Sequence, residues 1–304
     1  MPGVRKPRAL SPGGTIGIAA PAGPIDADRI AAGERLLRDA GFRVARRPDL
    51  TERCGYLAGD DARRAAELLE LWADPGVDAI LCARGGYGCH RIMSRLDARC
   101  ARDAAKPLIG YSDITTLLLW QRRRCGGLVG FHGPMLEREP LDAESADALF
   151  ALLAGATPAP LRGAPGGGGR AEGVLAGGSL RLVVASLGTP WEIDTRGAIL
   201  LVEDVNEKPY SIDRMLQQLR AAGKLEGLAG FGAGAFVDCE DPRYPEPSVD
   251  AVIEEVVRPL GIPFVRELPF GHVSRNLPWP LGIRAACDGE RGEIELLEPG
   301  VELR

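Results

Sequence analysis

A serine stands where an apolar segment of the chain gives way to a helical pattern. Residues 107–111 are mostly apolar, Ser112 and Asp113 follow, and the helical pattern then continues to Arg124. A serine at a sharp strand-to-helix turn is exposed, and the first N–H groups of the new helix lack intrahelical partners. Ser112 is therefore a candidate nucleophile, and the N–H of Asp113 is a candidate oxyanion donor. A serine that only caps the helix also fits this position.

Three further predicted strand ends carry groups that assist such a nucleophile in known enzymes. Glu203 and Asp204 directly follow five apolar residues, a position where a carboxylate either orients a base or forms a simple ion pair. Of the three histidines, His132 and His272 follow apolar runs, whereas His90 is predicted to lie in a helix. Spacing alone does not separate His132 from His272. A serine, an acid and a histidine can follow one another along a chain in several orders and still form the same catalytic geometry.

A glycine-rich segment, Arg84–Gly88 (RGGYG), follows another apolar run. It matches neither of the common phosphate-binding loops, so it gives little support for nucleotide binding. Glycine lets the backbone approach a ligand closely, which makes the N–H of Gly86 a candidate second oxyanion donor. Arg84 is a candidate cation for a substrate carboxylate. A plain strand-to-helix turn and a surface ion pair of Arg84 explain the same residues without a function.

The elements that must position these residues alternate between strands and helices in the first half of the chain. Such alternation predicts a parallel, doubly wound sheet with helices on both faces, whose ligands gather at the carboxyl ends of the strands. The predicted strands are 15–20, 43–45, 79–83, 107–111 and 128–131, and the predicted helices are 26–40, 60–73, one that begins near Tyr87, and 113–124.

The second half predicts another α/β domain with a more mixed sheet. Between the halves, residues 155–169 have neither periodicity nor bulk and are interpreted as a linker. We therefore expect a first domain over 1–154, a linker over 155–170 and a second domain over 171–304. The predicted helices of the second domain are 179–187, 211–222 and 248–260, and its predicted strands are 198–202, 228–237 and 263–268, followed by a hairpin over 281–297.

Composition limits the possible partners and locations. The net charge of -5 gives no electrostatic reason to expect nucleic acid or an anionic membrane as partner. No apolar run reaches the ~18 residues of a membrane span, and the amino terminus lacks the apolar core of a signal peptide, so we expect a cytoplasmic protein. The seven scattered cysteines have no zinc-type spacing and are expected to be free thiols, without a metal or other cofactor.

Seven short blocks together resemble the LD-carboxypeptidase family, the muramoyltetrapeptide carboxypeptidases. They occur in the family's order, and they span nearly the whole chain. Each block is weak by itself, but seven in register are specific. The blocks are GTIGIAAP (14–21), RGGYG (84–88), LIGYSDIT (108–115), HGPM (132–135), GGSL (177–180), LVED (201–204) and GH (271–272).

The resemblance implies a role for each member of a catalytic triad. It makes Ser112 the nucleophile, His272 the base and Glu203 the residue that orients the base, and it thereby selects His272 over His132. It also implies a first domain like that of glutamine amidotransferases, no cofactor, and a homodimer. The implied substrate is a small cell-wall peptide that loses its terminal D-Ala. Ser179 departs from the family pattern, which usually has asparagine there, but this puts no triad member in doubt.

Two other functions stay open. Relatives of the family confer immunity to microcin C by cleaving a peptidyl-nucleotide, and such an activity needs an aromatic platform for the base. Trp191 is a candidate platform, although it is equally compatible with core packing. The protein could instead be a non-catalytic small-molecule binding module, in which case Ser112, Glu203 and His272 need not converge.

Overall fold

Two β-sheets with flanking helices form the framework of the protein. The computed structural model describes residues 3–136 and 142–303. The strands are β1 (Thr15–Ala19), β2 (Arg43–Ala45), β3 (Ala79–Cys82), β4 (Leu108–Ile109), β5 (Gly130–His132), β6 (Leu161–Arg162), β7 (Ala164–Pro165), β8 (Arg170–Ser179), β9 (Ala198–Val205), β10 (Gly230–Val237), β11 (Phe264–Arg266), β12 (Trp279–Leu281), β13 (Arg284–Asp288) and β14 (Glu293–Leu296). The helices are α1 (Ala27–Asp39), α2 (Asp61–Ala73), α3 (Cys89–Ile92), α4 (Ala98–Ala104), α5 (Thr115–Arg124), α6 (Ala143–Leu153), α7 (Leu180–Ala185), α8 (Pro209–Ala221) and α9 (Val249–Val257).

The first sheet has the strand order β12-β5-β4-β3-β1-β2. Strands β1 to β5 are parallel, and the direction of strand order reverses at β1, as in doubly wound sheets. Every residue of β1 and β3 is buried, which suits apolar strands covered on both faces. The residues that follow β3 and β4 therefore lie at the carboxyl edge of this sheet, where ligand sites form in such folds.

The second sheet is mixed and has eight strands in the order β6-β14-β13-β8-β9-β10-β11-β7. Its centre, β8 to β11, is parallel, and the outer pairs are antiparallel. Seven of the eight residues of β9 are buried, and Glu203 is among them. The second sheet thus presents its own carboxyl edge, which carries Glu203.

The predicted fold class is confirmed: two α/β units, the first with a parallel sheet and the second with a mixed one. Asp60 caps α2, where its side chain accepts a hydrogen bond from the N–H of Arg63, whereas Asp26 makes no side-chain cap at α1. The helices α4 and α6 were not predicted, and neither was the long strand β8.

The boundary between the two halves is less simple than the sequence indicated. Strand β12, from the second half, pairs antiparallel with β5 and so completes the first sheet. The predicted hairpin over 281–297 begins later than expected, with β13. The segment 155–170, interpreted as a linker, contains β6 and β7, which pair with β14 and β11. The domain limits themselves stay a prediction.

Within the described part of the chain, no helix combines the length and the apolar character needed to cross a bilayer.

Candidate active site

Ser112 lies in a strained turn between β4 and α5. A single 3₁₀ turn, Ser112–Ile114, joins the two elements, and the backbone of Ser112 has φ = 59°. A non-glycine residue in this left-handed region costs about 1–2 kcal/mol, and such strain collects at functional sites. No side-chain cap hydrogen bond is made at the start of the turn or of α5. The alternative in which Ser112 merely caps the helix therefore loses its support.

The glycine turn after β3 packs directly against this serine. A Cβ atom added to Gly85 would lie 2.9 Å from Cβ and 3.1 Å from Oγ of Ser112, so no larger residue fits without displacing the serine. The backbone of Gly86 has φ = 101°, a conformation that favours glycine. The carbonyl of Gly85 accepts a hydrogen bond from the N–H of Gly23 at 2.9 Å. The glycine turn is thus held between Ser112 and the loop that contains Gly23.

Asp113 uses its carboxylate within the protein. Its Oδ2 accepts a hydrogen bond of 2.8 Å from the N–H of Cys89, the first residue of α3. Burial raises the pKa of this carboxyl above its usual range. The side chain therefore ties the glycine turn to the serine turn, while its role as an oxyanion donor concerns the backbone N–H and stays a prediction.

Arg84 is half-buried and has a partner in the loop after β1. Its Nη1 donates to the carbonyl of Pro24 at 2.9 Å. This bond orients the guanidinium beside the glycine turn. The predicted contact of Arg84 with a substrate carboxylate, like the predicted Gly86 donor, stays a prediction.

Glu203 and His272 form a buried pair. Nδ1 of His272 lies 2.7 Å from Oε2 of Glu203, and the two residues, His272 and Glu203, are 7% and 0% exposed. With Nδ1 donating to the carboxylate, Nε2 is the nitrogen that can accept a proton. Gly271 makes the approach possible, because a Cβ there would lie 2.8 Å from the same carboxylate oxygen. The amide oxygen of Asn276 accepts a 2.9 Å hydrogen bond from the N–H of Gly271.

The ring of Tyr111 brings the serine turn and the histidine together. Tyr111 immediately precedes Ser112, and its ring packs edge-on against the ring of His272 with centroids 4.9 Å apart. The structure therefore places the residue next to the candidate nucleophile in contact with the candidate base.

A second connection runs through the end of β8. Ser179 pairs in register with Glu203, and its N–H donates to Oγ1 of Thr115, at the start of α5, at 3.1 Å. A Cβ on Gly178 would lie 2.5 Å from that Thr115 side chain, so glycine is needed at this crossing. Ser112, Glu203 and His272 are thus gathered where the carboxyl edges of the two sheets meet.

His132 lies nearby but in a different environment. It is fully buried, stacked on Trp279 with centroids 5.0 Å apart and edge-on to Phe270 at 5.4 Å. Neither ring nitrogen has a hydrogen-bond partner among the described residues. Burial, and to a smaller extent the charge of His272, lowers the pKa of His132 to about 3. This lowered pKa keeps the His132 ring neutral near pH 7, and among the described residues its contacts are with aromatic rings, so the geometry favours His272 as the base.

Asp204 follows Glu203 in the chain but binds different groups. Its two oxygens accept hydrogen bonds from the N–H groups of Arg181 and Val205 at 2.7 and 2.9 Å. Burial, followed by the neighbouring charge of Glu203, raises the pKa of Asp204 to about 7. Asp204 thereby holds the start of α7, whereas Glu203 contacts the histidine.

Trp191, the candidate platform for a nucleobase, packs against the core. It is half-buried, and its ring contacts that of His90 with centroids 5.8 Å apart. This contact supports the packing interpretation of Trp191.

Four supporting residues were not singled out from the sequence: Tyr111, Thr115, Gly178 and Asn276. A glycine followed by another small residue at a strand end is a weak signal for a close crossing. Nothing in the sequence indicated the contact partners of Tyr111 or Asn276. Across residues 3–136 and 142–303, no group of three or more His, Cys, Asp or Glu side chains is arranged to hold a metal ion.

The two sheets and this arrangement of groups are those of a two-domain α/β peptidase. The chain belongs to the LD-carboxypeptidase family: the model of the family's N-terminal domain matches residues 16–133, and that of its C-terminal domain matches residues 172–287. The family resemblance inferred from the sequence blocks is thus confirmed.

Individual relatives agree with this assignment. A probable murein peptide carboxypeptidase of Bacillus subtilis is 39% identical, over 97% of this chain and 95% of its own. The muramoyltetrapeptide carboxypeptidase of Oxalobacter formigenes superposes with a TM-score of 0.85 at 28% identity, covering 93% of this chain and 97% of that chain. The microcin C7 self-immunity protein of Escherichia coli is 26% identical, over 95% of this chain and 94% of its own. The family and the two carboxypeptidases among these relatives support a carboxypeptidase activity.

Proposed function

We propose that the protein is a serine carboxypeptidase that hydrolyses an L,D-peptide bond and releases a terminal D-amino acid, D-Ala, from a cell-wall tetrapeptide. The observation that carries the proposal is the 2.7 Å contact of buried Glu203 with His272, beside the strained turn of Ser112. A buried carboxylate that orients an imidazole beside a half-buried serine in a strained turn is the arrangement that activates a hydroxyl for acyl transfer. A non-catalytic binding module has no need of it.

The reaction would proceed through an acyl-enzyme. Oγ of Ser112 bonds to the carbonyl carbon that precedes the terminal residue, while its proton passes to Nε2 of His272. His272 then gives this proton to the departing amine as the C–N bond breaks. Water attacks the ester with His272 again as base, and the returned proton restores the Ser112 hydroxyl. Glu203 stabilises the imidazolium in both steps.

Backbone donors and one cation would supply the remaining interactions. The N–H groups of Asp113 and Gly86, one from each turn, are the proposed donors to the oxyanion, which typically lowers the barrier by several kcal/mol. Arg84, oriented by its bond to Pro24, is the proposed partner of the substrate's terminal carboxylate. We retain the homodimer and the cytoplasmic location as predictions, which size-exclusion chromatography and cell fractionation can test.

The test uses three peptides and one chromatographic assay for the released amino acid. The first peptide ends in an L,D-linked D-Ala, the second is its L,L isomer, and the third is the L,D peptide with an amidated carboxyl terminus. We expect release from the first peptide alone. The pocket for the terminal residue must reject the L configuration, and the proposed contact with Arg84 needs a free terminal carboxylate. Comparable cleavage of the L,L isomer would overturn the proposed substrate class, and comparable cleavage of the amide would remove the need for a carboxylate clamp.

A further inference from the structure

A single peptide group beside the serine turn is held at both ends by buried side chains. This peptide group joins Gly88 to Cys89. Its carbonyl oxygen accepts a hydrogen bond of 2.9 Å from Nη1 of Arg64, and its N–H donates to Oδ2 of Asp113 at 2.8 Å. Arg64 and Asp113 are 0% and 2% exposed. A cation from α2 and the carboxylate next to Ser112 are thus joined through one peptide group.

The two contacts fix the direction in which this peptide group points. A guanidinium only donates hydrogen bonds and a carboxylate accepts them, so each end of the peptide group faces its complement. If the peptide group turned over, its carbonyl would face Asp113 and its N–H would face Arg64. Both contacts would then be repulsive, which is costly for buried charged groups. The backbone of the glycine turn therefore has one favourable orientation at this point.

Arg64 reaches the glycine turn through a gap that glycine leaves open. The backbone of Gly88 has φ = 145°, and a Cβ there would lie 2.5 Å from Nη1 of Arg64. The same Nη1 also donates to the carbonyl of Pro21 at 2.6 Å, and Nη2 pairs with Asp61. Arg64 thereby joins α2, the loop after β1 and the glycine turn.

The held peptide group connects the two turns that carry the proposed oxyanion donors. Gly88 follows Gly86, one proposed donor, by two residues, and the carboxylate that binds the peptide group belongs to Asp113, whose backbone N–H is the other. The turns also approach each other at that second donor, since a Cβ on Gly85 would lie 3.5 Å from the backbone nitrogen of Asp113. The placement of the two donors relative to each other therefore depends on the Asp113 side chain and on Arg64 behind it.

Arg64 itself lies out of reach of a substrate. Its side chain is fully buried, and both of its terminal nitrogens are engaged with the protein. Arg84, the proposed partner of the substrate carboxylate, is only half-buried. Any effect of Arg64 on the reaction therefore passes through the backbone that it holds.

We propose that Arg64 and the Asp113 side chain are positioning residues for the oxyanion site and that they act through the Gly88–Cys89 peptide group. Together they set the orientation of the glycine turn, and with it the N–H of Gly86, relative to the N–H of Asp113. The proposal rests on the proposed function and names the side chains that govern a site made of backbone groups. Such rigid support matters because oxyanion donors stabilise the transition state only when they are already in place.

The test measures the inhibition constant Ki of a peptide boronic acid, in which boron replaces the carbonyl carbon that Ser112 attacks. Oγ of Ser112 bonds to boron while its proton passes to His272, and one of the two boron hydroxyls takes the place of the oxyanion. Arg64→Met should raise this Ki by about tenfold to hundredfold and lower kcat by a similar factor, at or below the cost of losing a whole donor. KM for the L,D-tetrapeptide should stay within about threefold, because the trigonal substrate does not need the donors. A loss of stability alone would leave Ki unchanged.

A double-mutant cycle tests whether the two side chains act through the same peptide group. Asp113→Ala should raise Ki by a similar factor, and the protein that carries both changes should bind the boronic acid about as weakly as the weaker single variant. Asp113→Asn keeps an amide oxygen that can accept from the N–H of Cys89, so it should recover most of the affinity lost in Asp113→Ala. Effects that multiply in the double variant would show that the two side chains act independently and would contradict the proposal.

Arg63→Met is the matched control for the loss of a buried arginine. Arg63 precedes Arg64 on α2, is 9% exposed, and pairs with Glu67 at 2.8 Å rather than with the glycine turn. Arg63→Met should lower the unfolding temperature and keep the wild-type Ki. An equal rise of Ki in the two arginine variants would contradict a positioning role for Arg64.

If Arg64→Met protein does not fold, Gly88→Ala tests the same contact from the other side, because its Cβ would displace Nη1 of Arg64. Gly41→Ala is the control for this variant. Gly41 also has a positive φ, of 88°, but nothing lies within 4 Å of its added Cβ. Gly88→Ala should raise Ki and Gly41→Ala should not, and an unchanged Ki in Gly88→Ala would overturn the proposal.

Failure of this inference is distinguishable from failure of the proposed function. Release of D-Ala by the wild-type protein tests the function, and inhibition of that protein by the boronic acid tests the serine nucleophile. If both are observed while Arg64→Met keeps the wild-type Ki and kcat, only the positioning role is wrong. A wild-type protein that neither releases D-Ala nor binds the boronic acid would overturn the proposed function and this inference with it.

Discussion

At the scale of single residues, burial and hydrogen bonding separate groups that look alike in the sequence. His132 and His272 both follow apolar strands. Within residues 3–136 and 142–303, however, only His272 contacts a carboxylate, whereas His132 packs against aromatic rings. Glu203 and Asp204 are adjacent, yet only Glu203 reaches the imidazole. Alternation along β9 sends these two side chains to opposite faces of the sheet, which explains their separate partners.

We predict that His272→Ala abolishes most of the activity, whereas His132→Ala mainly lowers stability. Both variants remove a buried ring and should lose stability. His272→Ala leaves Glu203 without its partner, and His132→Ala leaves a cavity between aromatic rings. Measured on folded protein, His272→Ala should lose at least about a thousandfold in kcat/KM, while His132→Ala should stay within about tenfold of wild type. Tetrapeptide turnover and circular dichroism of the two variants, side by side, check this. An active His272→Ala protein would show that the base is misassigned.

The positions of the candidate site residues could be predicted from the sequence, but their surroundings could not. The three strand-end positions of Ser112, Glu203 and His272 followed from apolar runs and their flanking residues, and the family pattern chose between the histidines. The aromatic enclosure of His132 was not predictable, because it depends on Trp279 from a strand far along the chain. The positive φ of Ser112 was also hidden, since no sequence signal marks a left-handed serine.

At the scale of elements, glycines set how closely strands and turns can approach. Gly85 lets the turn after β3 reach Ser112, Gly178 lets β8 reach α5, and Gly271 lets the loop after β11 reach Glu203. In each case an added Cβ would lie within 3 Å of a residue in or beside the site. The geometry of the candidate site therefore depends on close backbone approaches as well as on its polar side chains.

Gly271→Ala should lower kcat strongly, because its Cβ would displace the Glu203 carboxylate and because φ = 113° is unfavourable for alanine. We expect a loss of at least about a hundredfold, in line with the cost of misplacing a catalytic group by about 1 Å. Gly261→Ala is the matched control. It also has a positive φ, of 65°, but nothing lies within 4 Å of its added Cβ. The Gly261 variant should lose some thermal stability and keep its kcat. Equal losses of kcat in both variants would mean that backbone strain, rather than the contact with Glu203, causes the loss.

Element prediction succeeded where periodicity was clean. The bounds of β2 agree with those predicted, and α1 and α2 differ by a residue at their ends. Strand β8 was missed because Gly173, Gly177 and Gly178 break its alternation, and glycine is depleted in ordinary strands. Strands β6 and β7 were hidden in the glycine-rich segment for the same reason. Sheet membership of β12 depends on a long-range pairing that local pattern cannot show.

At the scale of the whole molecule, the two halves are joined at several places around the site. Strand β12 from the second half extends the first sheet, and the ion pair of Arg275 with Glu144 joins the halves through two contacts of 2.7 Å. The proposed nucleophile, Ser112, comes from the first half, and the Glu203–His272 pair comes from the second. The activity that we propose therefore belongs to the assembled chain and to neither half alone.

The most direct test of the proposed mechanism is D-Ala release by Ser112→Ala protein, with Ser274→Ala as the matched control. Ser274 is an exposed serine two residues from His272 and has no part in the proposed reaction. We predict that Ser112→Ala loses at least about a thousandfold in turnover of the L,D-tetrapeptide, the usual scale for removing a nucleophile, with an unfolding temperature close to that of wild type. Ser274→Ala should remain active. If folded Ser112→Ala protein retained most of its D-Ala release, the nucleophile would lie elsewhere and the central claim would be wrong.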